Sequence, residues 1–283
     1  MAGDAPSGAV VIAVANCKGG CGKTTTAVNI AAEIGATGRR TLLLDLDPQG
    51  HGALGFGISP AAGGATAHDW LRGSRPRPEQ VYRSAAGVDV LPADASYSAP
   101  WPAPAPRSLA PGLEALKAAY DVIVIDTPPA ADLPLVAALA AARYVLAPSQ
   151  LTPLARDGLM RFSQVFFYAA TNLNPDLQAF AIAPTQVDLR TRIQQATLAG
   201  MVADFGLARM FPALRSDVTL AEAFGAGLPI RAFRPAARGA ADYARLAERI
   251  EREWLAPAKT PTRAGSAPPP GSSASDWRKG ASA

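Results

Sequence analysis

The chain has 283 residues, 49% of them hydrophobic, with 27 Lys+Arg against 23 Asp+Glu for a formal charge of +4. That apolar content excludes a wholly disordered chain, and no uninterrupted apolar run approaches the roughly 20 residues a membrane helix needs. Two cysteines, Cys17 and Cys21, are too few for a disulfide framework or a four-ligand zinc site.

The opening residues MAGDAPSG carry no basic n-region, so they read as a short polar lead into a strand and not as a signal peptide. A cytoplasmic protein is the expectation. Residues 9–15 (AVVIAVA) form an apolar, β-branched run of the kind found in buried strands. The glycine-rich CKGGCGKTTT follows, then helical composition over residues 27–36. A second buried strand, RTLLLD, covers residues 40–45, and residues 88–91 read as a short third. Residues 100–111 are proline-dense and expected to be loop, being poor in donors for a helix or sheet interior. A helix is expected over residues 113–119, a strand over 121–125 and a helix from about Leu135. A strand over 143–148, a long helix over 153–172 and a strand over 177–183 come next. Residues 193–205 and 236–255 close the pattern as helices. Apolar strands alternating with helices predict an α/β fold, a mostly parallel twisted sheet with helices on both faces. One domain is expected over residues 1–256, followed by a disordered Pro/Gly/Ser/Ala-rich tail over 257–283.

Charge and lysine usage point in different directions. Lys259, Arg263, Arg278 and Lys279 against Asp276 give the tail +3 of the total +4, so the body is nearly neutral. Net charge is therefore no evidence for a nucleic-acid partner. Of five lysines in the chain, Lys18 and Lys23 share one glycine run.

That run, Lys18-Gly19-Gly20-Cys21-Gly22-Lys23-Thr24-Thr25, lies between a predicted strand and a predicted helix. It narrowly misses the general phosphate-loop pattern, because Cys17 stands where the first glycine belongs. The context is what the chemistry requires: glycines let backbone N–H groups converge on phosphate oxygens, and a helix N-terminus adds favourable potential for anions. Lys23 would reach the β- and γ-phosphates, and the Thr24 hydroxyl would ligate Mg²⁺. Asp126 ends the apolar run DVIVID, and Asp45 and Asp47 end LLLDLDPQG. Carboxylates at the C-terminal edge of a parallel sheet sit where ligands bind in such folds. An acid there can hold Mg²⁺ through water or orient an attacking water. Cys17 and Cys21 read either as a redox pair flanking the loop or as small residues at tolerant positions.

KGGCGKTT, LLLDLDPQG and DVIVIDTPP, in this order and spacing, resemble the three motifs of the ParA/MinD superfamily, the deviant Walker A P-loop ATPases. The chain is most similar to the short Soj-type ParA partition ATPases, over about residues 10–250. The resemblance implies a P-loop NTPase fold and a weak ATP hydrolase stimulated by a partner. It implies that Lys18 reaches across an ATP-dependent homodimer to the partner's phosphates, as an arginine finger does. Asp45 would match the family's water-positioning aspartate, Asp126 its Walker B acid and Thr24 its Mg²⁺ ligand. The cofactors implied are ATP and Mg²⁺.

The tail cannot form the basic amphipathic helix of a MinD-like membrane ATPase, so no membrane partner is expected. A metabolic P-loop ligase or amide-forming enzyme of the same superfamily, or a MinD-like positioning ATPase, stands as the alternative. For a short ParA the family implies nonspecific DNA binding by the dimer, a nucleoid location, and a ParB-like protein or cargo adaptor that stimulates hydrolysis. Residues 186–240 carry seven arginines against four acids, a pattern suited to phosphate contacts. Arg190, Arg215 and Arg234 are the candidate DNA contacts by family position.

Overall fold

The computed structural model describes residues 8–99, 103 and 105–256; the tail expected over 257–283 lies outside them. Among the described residues seven strands form one sheet, in the order β3-β4-β2-β5-β1-β6-β7. These are β1 (Val10–Val14), β2 (Thr41–Asp45), β3 (Tyr82–Arg83), β4 (Asp89–Leu91), β5 (Val122–Asp126), β6 (Tyr144–Gln150) and β7 (Ala179–Thr185). All neighbours pair in parallel except β3 and β4, which are antiparallel. The expected α/β class and mostly parallel sheet are as read.

Both faces of the sheet are covered, which is why its strands read as unbroken apolar runs. Successive side chains alternate between two cores. Ile12, Val14, Leu43, Val122 and Val124 pack with Ile30 and Ile34 of the helix Lys23–Ala36 and with Tyr243 and Leu246 of the helix Arg238–Ile250. Val11, Ala13, Leu42, Leu44 and Ile123 pack on the other side with Leu135 and Leu139 of the helix Leu133–Ala141 and Phe162 of the helix Pro153–Asn172.

Several elements differ from expectation. The first helix begins at Lys23, four residues before the helical composition does, because Gly22 in a left-handed conformation (φ 87°) turns the chain straight into it. The proline-dense stretch contains a short helix, Pro106–Leu109, and a 3₁₀ turn, Ala110–Leu113. Pro106 and Pro111 sit in the first turn of each, where the missing N–H would have no intrahelical acceptor anyway. The last helix starts at Arg238 and ends in a π-helical turn, Glu251–Leu255. No helix among the described residues is long and apolar enough to cross a membrane.

Candidate functional site

Because β1, β2 and β5 run parallel, their C-terminal ends share one edge of the sheet, and register aligns the two acids with the glycine loop. Asp126 pairs with Val14, from which the loop departs, and with Asp45 on the other side. Gly20 (φ 71°) and Gly22 (φ 87°) take left-handed conformations open to glycine. Lys23 is buried, and its Nζ donates to the Lys18 carbonyl at 3.0 Å. The Lys18 ammonium lies outside this turn. Its nearest acceptors are Gln150 Oε1 and Thr152 Oγ1, both at 3.5 Å.

The two strand-end acids differ in their bonding. Asp45 is fully buried; its oxygens accept from Asp47 N–H (3.0 Å) and Gly52 N–H (2.8 Å). Burial pushes its pKa up to about 7 despite these bonds. Asp126 is also fully buried, and neither of its oxygens has a hydrogen-bond partner. Burial, then the neighbouring Asp45, raises its pKa well above the usual range, while the nearby Thr24 hydroxyl and Lys23 act in the opposite direction. A buried carboxylate left unsatisfied is costly and calls for a partner. A cation next to Thr24 would supply it. The residues fit Mg²⁺, which is held by one or two protein oxygens together with waters and substrate phosphates. No group of three or more His, Cys, Asp or Glu among the described residues is arranged to hold a metal by itself.

Asp47 is less buried than Asp45 and makes a single side-chain bond, from Gln49 N–H at 3.0 Å. Of the expected site residues, the structure thus gathers Lys18, Gly19, Gly20, Cys21, Gly22, Lys23, Thr24, Thr25, Asp45 and Asp126 at one sheet edge. Asp45 there serves the backbone, and Asp47 is the freer acid. Burial raises the pKa of both Cys17 and Cys21, and the Cys21 thiol donates to the Lys18 carbonyl. Neither cysteine has thiolate character.

Beside the loop opens a cavity of about 530 Å³ that no motif announced. Thr24, Thr25, Arg215, Asp217, Phe224 and Tyr243 are among the residues that line it. Its size suits a nucleoside attached to phosphates in the loop. Arg215 is tied to the buried Asp242 by Nε and Nη2 (2.6 Å for the closest contact) and lines this cavity. Arg190 is 90% exposed at its side chain and paired with Asp188. Arg234 is exposed and 3.5 Å from Glu222.

A family model described as an AAA domain matches residues 9–179. The chain is 34% identical over 252 residues to the chromosome partitioning protein ParA of Caulobacter vibrioides, covering 86% of this chain and 94% of that protein. It is 36% identical over 242 residues to the chromosome-partitioning ATPase Soj of Thermus thermophilus, covering 84% of this chain and 94% of that one. The chain belongs to the ParA/MinD superfamily of P-loop ATPases. Among solved structures, cobyrinic acid a,c-diamide synthase from Mycobacterium smegmatis with bound ATP analog and magnesium superimposes with a TM-score of 0.75 at 30% identity. That match covers 89% of this chain and all of that one.

Proposed function

We propose that this chain is a ParA-type switch: it binds ATP with Mg²⁺, pairs with a second copy, adheres to DNA without sequence preference and lets go when ATP is hydrolysed. The observation that carries this reading is the division of labour between the two lysines. Lys23 is buried against its own loop, while the Lys18 ammonium has only long contacts and stands outside the cradle. A cation so placed serves phosphates presented by another protomer, where it stabilises charge on the transferring phosphoryl group. Coupling dimerisation to the γ-phosphate gives the two states a real free-energy difference.

In this reading Thr24 and Asp126, the latter through water, hold Mg²⁺, which neutralises phosphate charge when bound. Lys23 reaches the β- and γ-phosphates, and the loop N–H groups orient them. Asp45 holds the turn that carries Asp47, and Asp47 is the better placed of the two to face an attacking water. Arg190 and Arg234 offer exposed cations to DNA phosphates. A ParB-like protein or cargo adaptor stimulates the turnover, and the protein resides in the cytoplasm on the nucleoid, where it partitions or positions a chromosome, plasmid or protein assembly.

The likeness to an amide-forming synthase supports a second reading, a ligase that activates a carboxylate with ATP. A DNA-binding assay with ATP, ADP and no nucleotide separates the two. The switch requires binding with ATP alone; indifference to DNA in all three conditions supports the ligase.

A further inference from the structure

Gln186 follows β7 directly and is the one non-glycine residue with positive φ (53°) among the described residues. Left-handed backbone disfavours L side chains, and such strain clusters at functional positions. Its side chain is committed to the glycine loop: Nε2 donates to the Gly20 carbonyl at 3.3 Å. Gln150, the last residue of β6, donates to the same carbonyl at 3.3 Å and to Gln186 Oε1 at 2.9 Å. The Lys18 ammonium rests on Gln150 Oε1. One residue earlier in the chain than Gln186, the Thr185 hydroxyl donates to the Cys21 carbonyl at 2.9 Å.

Two consecutive loop carbonyls are therefore drawn toward the ends of β6 and β7. A trans peptide places its N–H opposite its C=O. Fixing the Gly20 and Cys21 carbonyls thus turns the Cys21 and Gly22 N–H groups the other way, where they are free to meet an anion. Flexible glycines could otherwise present a carbonyl to the phosphates and repel them.

We propose that Gln186 and Gln150 are positioning residues for the phosphate loop: their paired amides hold the Gly20 carbonyl outward and keep the loop preset for phosphate. This rests on the reading of the loop as a nucleotide site. The αL backbone of Gln186 is what brings its amide to Gly20, and Gln150 links the same carbonyl to the resting place of Lys18.

The test uses the full chain and two probes, Mg-ADP and Mg-tripolyphosphate, titrated calorimetrically into wild type, Gln186→Gly, Gln186→Asn, Gln150→Leu and Gln150→Leu/Gln186→Gly. Gln186→Gly relieves the backbone strain, so its melting temperature without ligand should hold or rise. Its affinity should fall at least tenfold for both probes. Gln186→Asn, which keeps an amide and tolerates the αL conformation, should recover part of that loss. The double variant should lose less than the product of the single losses, because both amides serve one carbonyl. Unchanged affinity in Gln186→Gly overturns the proposal, as does a loss confined to Mg-ADP, which would make Gln186 a nucleoside contact. A fall in ligand-free melting temperature that accounts for the affinity loss overturns it too. Failure of wild type to bind Mg-ADP refutes the nucleotide reading itself and is distinct from these.

Discussion

Asp45 and Asp126 stand opposite each other at the ends of β2 and β5, both without exposure to solvent, yet one is fully engaged and the other is not. Asp45 accepts from the Asp47 and Gly52 amides, whereas both oxygens of Asp126 lack a partner. Two buried carboxylates at one register point destabilise each other, so the arrangement makes sense as half of a site whose cation and phosphates complete it. The two acids should respond differently to mutation. Asp47→Asn should keep Mg-ADP affinity and lower partner-stimulated kcat on the order of 10²-fold, a usual size for a lost general-base or water-orienting group. Asp45→Asn should instead lower the melting temperature, since the amide cannot accept at both positions, with kcat falling through the displaced turn. Steady-state turnover and thermal unfolding of the pair decide between them. A stable, inactive Asp45→Asn with a fully active Asp47→Asn would return the water-facing role to Asp45.

Close packing sharpens the same point. A Cβ on Gly52 would lie 2.7 Å from Asp45 Oδ2 and 2.9 Å from its Cγ. Gly52→Ala must push the buried carboxylate or the following turn aside, at a cost of about 1–3 kcal/mol. Chemical denaturation should show this loss, and an unchanged midpoint would mean that the Asp45 turn yields freely.

Lys18 and Lys23 should separate binding from turnover. Lys23→Ala removes the buried ammonium that the phosphates would meet, and Mg-ATP affinity should fall about 10–100-fold, the worth of a charge-assisted bond. Lys18→Ala should leave that affinity within a few-fold and abolish ATP-dependent dimerisation, with turnover lost by about 10³-fold or more, as for a finger supplied in trans. Light scattering with ATP and calorimetry with ADP read the two effects. Wild-type turnover in Lys18→Ala would sink the assignment.

How far these roles were legible in the chain depends on where the signal lies. Strands β1, β2 and β5 showed themselves because strands covered on both faces carry continuous Val, Ile and Leu runs, and the acids that end two of them came with them. The two-residue β3 and the helix Thr219–Gly225 left no such pattern. β3 is a two-residue strand paired with β4 only six to eight residues later, too short to show a period. Lys23 and Lys18 stood out as two of five lysines. By contrast, the Asp45 side chain turning to the backbone, and Gln150 and Gln186 converging on Gly20, follow from chain path. Residues 130 and 166 positions away in sequence meet one carbonyl, and periodicity carries no trace of that.

His68 sets a pH dependence away from the site. It is fully buried and stacked on Tyr97 at 4.1 Å, and its Nδ1 accepts from Asp94 N–H at 2.9 Å. Burial pushes its pKa down to about 4, against the pull of Asp94 and Asp69 and with that of Arg72. Between pH 6.5 and 4 the unfolded chain therefore binds a proton that the folded chain does not. The stability contributed is present above pH 6.5 and lost as the pH falls toward 4. The loss approaches about 3 kcal/mol across that window. Asp94, held at about 2 by Ser96 and Arg72, acts below it. Asp45, held near 7, and Asp126, raised by burial, contribute with the opposite sign in this window. His68→Gln should therefore lower the slope of unfolding free energy against pH between 4 and 6.5 by about one proton's worth relative to wild type, and an unchanged slope would place its origin elsewhere.

The arginines expected to touch DNA should divide by their partners. The Arg190 side chain is 90% exposed and bound to an acid two residues away, so it can swing to a phosphate with little loss. Arg190→Ala should reduce the log–log salt slope of ATP-dependent DNA binding by roughly one unit. Arg215 is held differently: its partner Asp242 is 1% exposed at its side chain. Arg215→Ala leaves that carboxylate with Arg245 as its remaining cation, so the melting temperature should fall, by the equivalent of about 1–3 kcal/mol. Because Arg215 also lines the cavity, Mg-ADP affinity should fall with it while the salt slope stays near wild type. A lost unit of slope in Arg215→Ala, with stability and nucleotide affinity intact, would show that Arg215 leaves Asp242 for DNA.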